Sequence, residues 1–127
     1  MKNYILMKDD VFLYGYLTHG RHNKEIFDLC QEGKAILIYN DTILENYETI
    51  SKNCTGLSQL DDEFYAQIEK VKKYGIKIDK AEIEESAKQM TDNVYIVLAS
   101  TIGWKNKSPQ ANNGFTIIDI DEVSKIN

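Results

Sequence analysis

Acidic side chains follow two apolar runs in the first half of the chain, and their type suits metal-assisted chemistry. The run 4–7 is followed by Asp9 and Asp10, and the run 35–39 is followed shortly afterwards by Glu45. If both runs are parallel strands of an open α/β sheet, their carboxyl ends meet at the edge where such sheets bind ligands. Carboxylate oxygens are preferred ligands of Mg²⁺ and Mn²⁺. A divalent cation held there would lower the pKa of a bound water and stabilise charge on an attacked phosphate.

Apolar patterns that alternate between strand and helix periods predict the elements that position these acids. Strands alternating with helices imply a parallel sheet that is covered on both faces. We therefore expect a three-layer α/β fold in one domain, residues 1–127, with a mostly parallel sheet of about four strands flanked by helices. The predicted strands are 4–7, 35–39, 76–78 and 115–120, and the predicted helices are 11–18, 24–32, 42–50, 61–74 and 80–89.

The acids also have structural explanations at the starts of helices. Asp9 and Asp10 begin a helix, where negative charge interacts favourably with the helix dipole. Glu45 is the third residue after Thr42, a spacing that predicts a capping box. Asp92 is placed to cap a following helix. The sequence therefore leaves a capping role and a ligand role open for each of these acids.

Two segments in the second half of the chain are harder to assign. The segment 91–103 is rich in β-branched residues, which indicates a strand, but its capping residues, its apolar spacing and Gly103 indicate a helix. We expect a helix there. The segment 105–114 contains the single proline, Pro109, and is predicted to be a loop.

Composition narrows the class of protein. Of the 127 residues, 43% are hydrophobic, which is enough for a core without disulfides or a structural metal. Cys30 and Cys54 show no metal-ligand spacing, so we expect two reduced thiols in a cytoplasmic protein. No apolar run approaches the roughly 18 residues that a membrane helix needs, so no membrane partner is expected. The net charge of −5 argues against coating of nucleic acid by charge alone, but an acidic metal site in a nuclease is compatible with it.

One loop, residues 18–24, is locally basic because it contains His19, Arg21, His22 and Lys24. We expect it to be an exposed connection between two helices. Contact of this loop with a phosphate backbone is the alternative interpretation.

The order of these segments resembles that of the PIN domain family, especially its toxin-component branch. The resemblance rests on residues 5–13, 25–29, 35–39 and 43–50, and it extends loosely through 92–99 and 115–120. It implies a Mg²⁺- or Mn²⁺-dependent endoribonuclease with an acidic site at the carboxyl edge of the sheet. It also implies RNA as substrate, an antitoxin-like protein as partner and, as in many such toxins, a homodimer. The catalytic residues implied here are Asp9, Asp10, Glu45 and Asp92, of which Asp9, Glu45 and Asp92 would bind the metal.

Two positions of the family pattern carry other residues in this chain. Lys8 stands where the first aspartate is expected, and Asn46 stands where the helical glutamate is expected. An ammonium group opposes cation binding, and an asparagine contributes no charge to a metal site. The resemblance therefore leaves two functions open. One is a metal-dependent ribonuclease, and the other is a PIN-like domain that lacks a metal and any other cofactor and binds a protein or RNA.

Overall fold

Apolar strands and amphipathic helices alternate along the molecule as the sequence predicts. A computed structural model of the chain describes residues 2–79, 82, 93–98, 110–112 and 115–126. In these ranges one sheet contains the strands β1 (Asn3–Met7), β2 (Ile36–Tyr39), β3 (Gly75–Lys77), β4 (Asn93–Leu98), β5 (Gln110–Asn112) and β6 (Phe115–Asp119). Their order across the sheet is β3-β2-β1-β4-β6-β5.

The strand order reverses its direction of growth between β1 and β4. The chain adds β2 and β3 on one side of β1, and it then places β4 and β6 on the other side. These five strands are parallel, whereas β5 pairs antiparallel with β6. This is a doubly wound sheet, in which ligands bind at the carboxyl ends of the strands where the order reverses. The edge beside β1 and β4 is therefore the candidate location of a ligand site.

Helices with clear local signals accompany these strands. The helices in the described ranges are α1 (Asp9–Leu17), α2 (Lys24–Gln31), α3 (Asp41–Thr55), α4 (Asp62–Tyr74) and a 3-10 helix (Ile120–Lys125). Gly33 (φ 76°) follows α2 and Gly56 (φ 73°) follows α3, and both take the left-handed conformation that glycine adopts without strain. Asp61 precedes α4, and its Oδ1 accepts a hydrogen bond from the backbone N–H of Phe64 at 3.2 Å.

The main core lies between one face of the sheet and the helices. Alternation along β1 sends Ile5 and Met7 to this face and Tyr4 to the opposite one. On the helix side, the rings of Phe12 and Tyr47 are stacked with their centroids 4.3 Å apart, which joins α1 to α3. The opposite face of the sheet carries a smaller buried cluster of Tyr4, Ile38 and Val94.

The predicted fold class is confirmed, because a parallel sheet flanked by helices forms a three-layer α/β fold. All four predicted strands are present. The expected helix at 91–103 is wrong for Asn93–Leu98, which forms β4 and raises the number of parallel strands to five in the described ranges. Pairing with β1 on one side and β6 on the other stabilises this apolar, β-branched segment as a strand. The predicted loop at 105–114 contains the short strand β5.

The predicted capping box at the start of α3 is also wrong. Asn40, not Thr42, caps the helix, and its Oδ1 accepts a hydrogen bond from the backbone N–H of Ile43 at 2.9 Å. Strand β2 ends at Tyr39, so Asn40 is still extended (φ −149°, ψ 178°), as a capping residue must be. Glu45 consequently has no capping role and lies exposed within the helix.

Some predictions lie outside the described residues. They are the helix at 80–89 except for residue 82, residues 91–92 and 99–103 of the expected helix together with the role of Asp92, and residues 105–109 and 113–114 of the expected loop. Cys30 and Cys54 are both free thiols. Of the helices that the structure describes, none is both long enough and apolar enough to cross a bilayer.

Candidate functional site

The carboxyl end of β1 carries the first group of candidate residues. The backbone N–H of Lys8 donates to the carbonyl oxygen of Val97 at 3.0 Å, which holds this end against β4. The Lys8 side chain is exposed and does not cap α1. Asp9 and Asp10 occupy the first turn of α1 and are partly buried. The positive end of the helix dipole reduces the cost of placing two neighbouring carboxylates there. Both predicted β1 acids therefore lie at the edge where the strand order reverses.

Tyr47 of α3 fixes the backbone at the end of β1. Its hydroxyl donates a hydrogen bond of 2.6 Å to the carbonyl oxygen of Met7, and its side chain is only 1% exposed. Burial, and to a smaller extent the nearby Asp9 carboxylate, raises the pKa of Tyr47 above its ordinary value. The hydroxyl therefore remains protonated at neutral pH and keeps donating to Met7. This contact holds the middle of α3 against the end of β1.

Glu45 and Asn46 are both exposed on α3. Glu45 lines a shallow groove of about 350 Å³ between α3 and α4, together with Asp41 and Glu48 of its own helix and Lys72 across the groove. The two β1 acids are not among the residues that line this groove. The buried Tyr47 sets the rotation of α3. The predicted metal ligand Glu45 therefore lies on a different surface of the helix from the buried ring.

A divalent cation at this edge would depend on few protein ligands. Within the described residues, no group of three or more His, Cys, Asp and Glu side chains is arranged to hold a metal ion. Asp92, the third predicted ligand, is not among those residues. Mg²⁺ is commonly held by one or two carboxylates, with water and substrate phosphates completing its shell. Asp9 and Asp10 supply oxygens of the type that such a cation prefers, but as successive residues of a helix their side chains point in different directions.

Asp119, at the end of β6, is an acid of the same edge that the sequence analysis missed. Because β1 pairs with β4 and β4 pairs with β6, the end of β6 lies two strands, or about 10 Å, from the end of β1. Asp119 Oδ1 accepts a hydrogen bond from the backbone N–H of Asp121 at 3.0 Å. Its Oδ2 is buried and has no hydrogen-bond partner in the described structure. The available signal was an acid one residue before the end of the predicted strand 115–120, but only the strand order reveals its neighbours.

The basic loop, residues 18–24, reaches the same edge of the sheet. Asn23, just before α2, is 1% exposed, and its Nδ2 lies 3.8 Å from the sulfur of Met7 at the end of β1. The side chain of Asn23 packs against Gly15, where a Cβ atom would lie 2.1 Å from its Nδ2. The loop is exposed at His19 and Arg21, as expected, but it is anchored next to the carboxyl ends of the strands.

A pocket of about 260 Å³ lies between this loop and the end of β6. Arg21 is exposed, and its Nε donates to a backbone carbonyl of its own loop at 3.1 Å, which uses one of the five N–H donors of a guanidinium. His22 is half-buried, and its Nε2 has no hydrogen-bond partner among the groups that the structure describes. The residues that line the pocket are Arg21, His22, Glu25, Ile120 and Asp121.

The fold and this edge define a broad class, the doubly wound α/β domains, which host many unrelated functions. Comparisons of the chain with protein-family models, with curated proteins and with solved structures find no match.

Proposed function

We propose that this protein is a PIN-like, divalent-metal-dependent endoribonuclease whose catalytic centre lies at the carboxyl edge of the sheet. The observation that carries the proposal is the strand order, which puts Asp9 and Asp10 at the point where the direction of growth reverses. When bound, Mg²⁺ or Mn²⁺ would supply an acidified water and charge stabilisation for an attacked phosphate. A role as the toxin of a toxin–antitoxin pair, with a cognate protein partner and a homodimeric state, belongs to the same proposal and comes from the family resemblance alone.

The residues of this chain have distinct parts in the proposal. Asp9 and Asp10 provide carboxylate oxygens for the cation, and Asp92 is the predicted third donor. Tyr47 holds the Met7 carbonyl and so keeps the two acids in place relative to β4. Glu45 lines the groove between α3 and α4, and Asp9 and Asp10 do not, so its predicted role as a metal ligand is tested separately. A cytoplasmic location is part of the proposal, and the free thiols Cys30 and Cys54 support it.

A second candidate function is a metal-free binding module for RNA or a protein. The observation that favours it is Lys8, an exposed ammonium group that directly follows β1 at the position where the resemblance expects an acid. It makes no ion pair in the described structure, so its charge is not neutralised before a ligand arrives. A positive charge beside the acids weakens their attraction for a cation and strengthens the attraction of the edge for phosphate or carboxylate.

Calorimetric titration with Mn²⁺, combined with a cleavage assay on single-stranded RNA, tests the proposal. We expect millimolar or tighter Mn²⁺ binding that is lost in Asp9→Asn, and RNA cleavage that falls about a hundredfold or more, as when a charge-stabilising group is removed. Glu32→Gln is the matched control, because it removes an exposed carboxylate just after α2. This position leads into the start of β2, which is parallel to β1, and so lies away from the carboxyl edge. Glu45→Gln decides separately whether Glu45 takes part.

The two candidate functions give opposite results in these assays. If the wild-type protein releases no heat with Mn²⁺ and cleaves no RNA, the nuclease proposal is wrong. Equal activity of Asp9→Asn and Glu32→Gln would place the activity elsewhere. RNA binding without cleavage and without metal would establish the binding module.

A further inference from the structure

Two basic side chains of the carboxyl edge differ from most of the other lysines that the structure describes. Most described lysines have a carboxylate within ion-pair distance, and two lysines of α4 lie over aromatic rings. Lys8 and Arg21 have neither an acidic nor an aromatic partner in the described ranges. The lysines in ion pairs are Lys24, Lys34, Lys52, Lys72, Lys77 and Lys125.

These two cations lie on the same edge of the sheet. Lys8 directly follows β1, and Arg21 lines the pocket formed with Ile120 and Asp121, which directly follow β6. The ends of β1 and β6 are separated only by β4, a distance of about 10 Å. A single extended ligand that lies across this edge would therefore meet both charges.

We propose that Lys8 and Arg21 bind phosphates of a single-stranded RNA that crosses the carboxyl edge, with one phosphate at the Arg21 pocket. The inference rests on the proposed function, since it gives the path of the same substrate. The planar guanidinium can offer two parallel N–H donors to one phosphate, whereas the Lys8 ammonium acts as a point charge. Lys8, which opposes a cation at this edge, thereby gains a role in attracting the substrate.

Two acids in the pocket select against small anions. Glu25 is exposed in the first turn of α2, and it lines the pocket together with Asp121. Their negative charge weakens the attraction of Arg21 for an isolated phosphate ion. An RNA strand is favoured because it meets Lys8 and Arg21 at once, and the second contact is then intramolecular.

Binding of a fluorescein-labelled single-stranded RNA of about 15 nucleotides, measured by anisotropy in EDTA, tests the inference apart from catalysis. Each phosphate contact on a single strand contributes about 0.7 to the slope of log K against log salt concentration, which corresponds to about fivefold in affinity at 0.1 M salt. We expect Lys8→Gln and Arg21→Gln each to bind the RNA about fivefold more weakly and to reduce the magnitude of the salt slope by about 0.7. Glu25→Gln should bind RNA more tightly.

Lys34→Gln is the control, because it removes one positive charge at the opposite edge, before β2. An unchanged affinity and slope in either Lys8→Gln or Arg21→Gln would overturn the inference, as would an equal loss in Lys34→Gln. Competition by inorganic phosphate at the concentration at which unlabelled RNA competes would also overturn it. The binding assay in EDTA is independent of metal. A protein that binds RNA in this way but does not cleave it when Mn²⁺ is supplied refutes the nuclease proposal alone. A protein that cleaves RNA with unchanged binding in both variants refutes this inference alone.

Discussion

The hydroxyl of Tyr47 should stabilise the fold through the end of β1, and Tyr47→Phe isolates its contribution. The substitution keeps the ring stacked on Phe12 and removes only the donor to the Met7 carbonyl, a 2.6 Å hydrogen bond. A net hydrogen bond is worth about 0.5–1.5 kcal/mol, and a buried acceptor that loses its donor costs about 1–3 kcal/mol. Because the side chain is 1% exposed, water does not replace the hydroxyl, and we expect a loss of about 1–2 kcal/mol in the free energy of unfolding.

The same variant should change how stability depends on alkaline pH. The pKa of Tyr47 is raised by burial and by Asp9, and burial and the hydrogen bond to Asp61 raise the pKa of Tyr16 to about 12. In the unfolded chain both hydroxyls lose their protons near pH 10. Above pH 10 the unfolded state therefore binds fewer protons than the folded state, and stability falls as pH rises.

The slope of this fall gives a second, independent readout. Each of the two tyrosines contributes up to about 1.4 kcal/mol per pH unit between pH 10 and the pKa in the folded state. Tyr47→Phe removes one of these two tyrosine contributions, so its alkaline slope should be shallower by up to about 1.4 kcal/mol per pH unit. At neutral pH this titration contributes no pH dependence, because both states are protonated.

Urea unfolding followed by circular dichroism at pH 7 and at pH 10–11 measures both effects, with an unchanged m value as the check on two-state behaviour. Tyr14→Phe is the control, because Tyr14 is 46% exposed. Removal of its hydroxyl should change the free energy of unfolding by no more than about 0.5 kcal/mol. If Tyr47→Phe is as stable as this control at pH 7 and shows the wild-type alkaline slope, the assigned hydrogen bond does not hold β1.

Three further expectations concern helix starts, packing and thiol chemistry. Asn40→Ala should lower the free energy of unfolding by about 1 kcal/mol through loss of the α3 cap, whereas Thr42→Ala should cost clearly less; equal losses would favour the rejected capping box. Gly15→Ala should cost about 1–3 kcal/mol by urea unfolding, since its Cβ would lie 2.1 Å from a buried amide nitrogen, and a wild-type midpoint would contradict that packing. Cys54 is exposed, while burial raises the pKa of the Cys30 thiol, so a thiol reagent at neutral pH should label Cys54 first; faster labelling of Cys30, located by mass spectrometry, would be the contrary result.

Local patterns were sufficient for the elements whose signals do not compete. The uninterrupted apolar run before Asn40 predicted a strand, and Gly33, with φ 76°, ended α2 as expected. Asp61 and the apolar spacing after it predicted α4 almost to the residue. These signals act over a few neighbouring residues, so the sequence alone carries them.

Competing signals were resolved only by contacts between distant segments. Val94 and Val97 fit a helix stripe and a strand equally well, and pairing of β4 with β1 and β6 decided for the strand. The rotation of α3 was likewise set by the buried Tyr47, which left Glu45 exposed on another surface. The local sequence of neither segment indicates which distant residues fix its conformation.

The sequence by itself determined the α/β class, most element boundaries and the presence of acids after β1. The tertiary structure alone decided that Asp119 ends a strand two positions from β1, and that the basic loop around Arg21 reaches the same edge. The physical reason is that strand neighbours are chosen by burial and backbone pairing between distant segments, 90 residues apart for β1 and β4, and local propensity does not specify such partners.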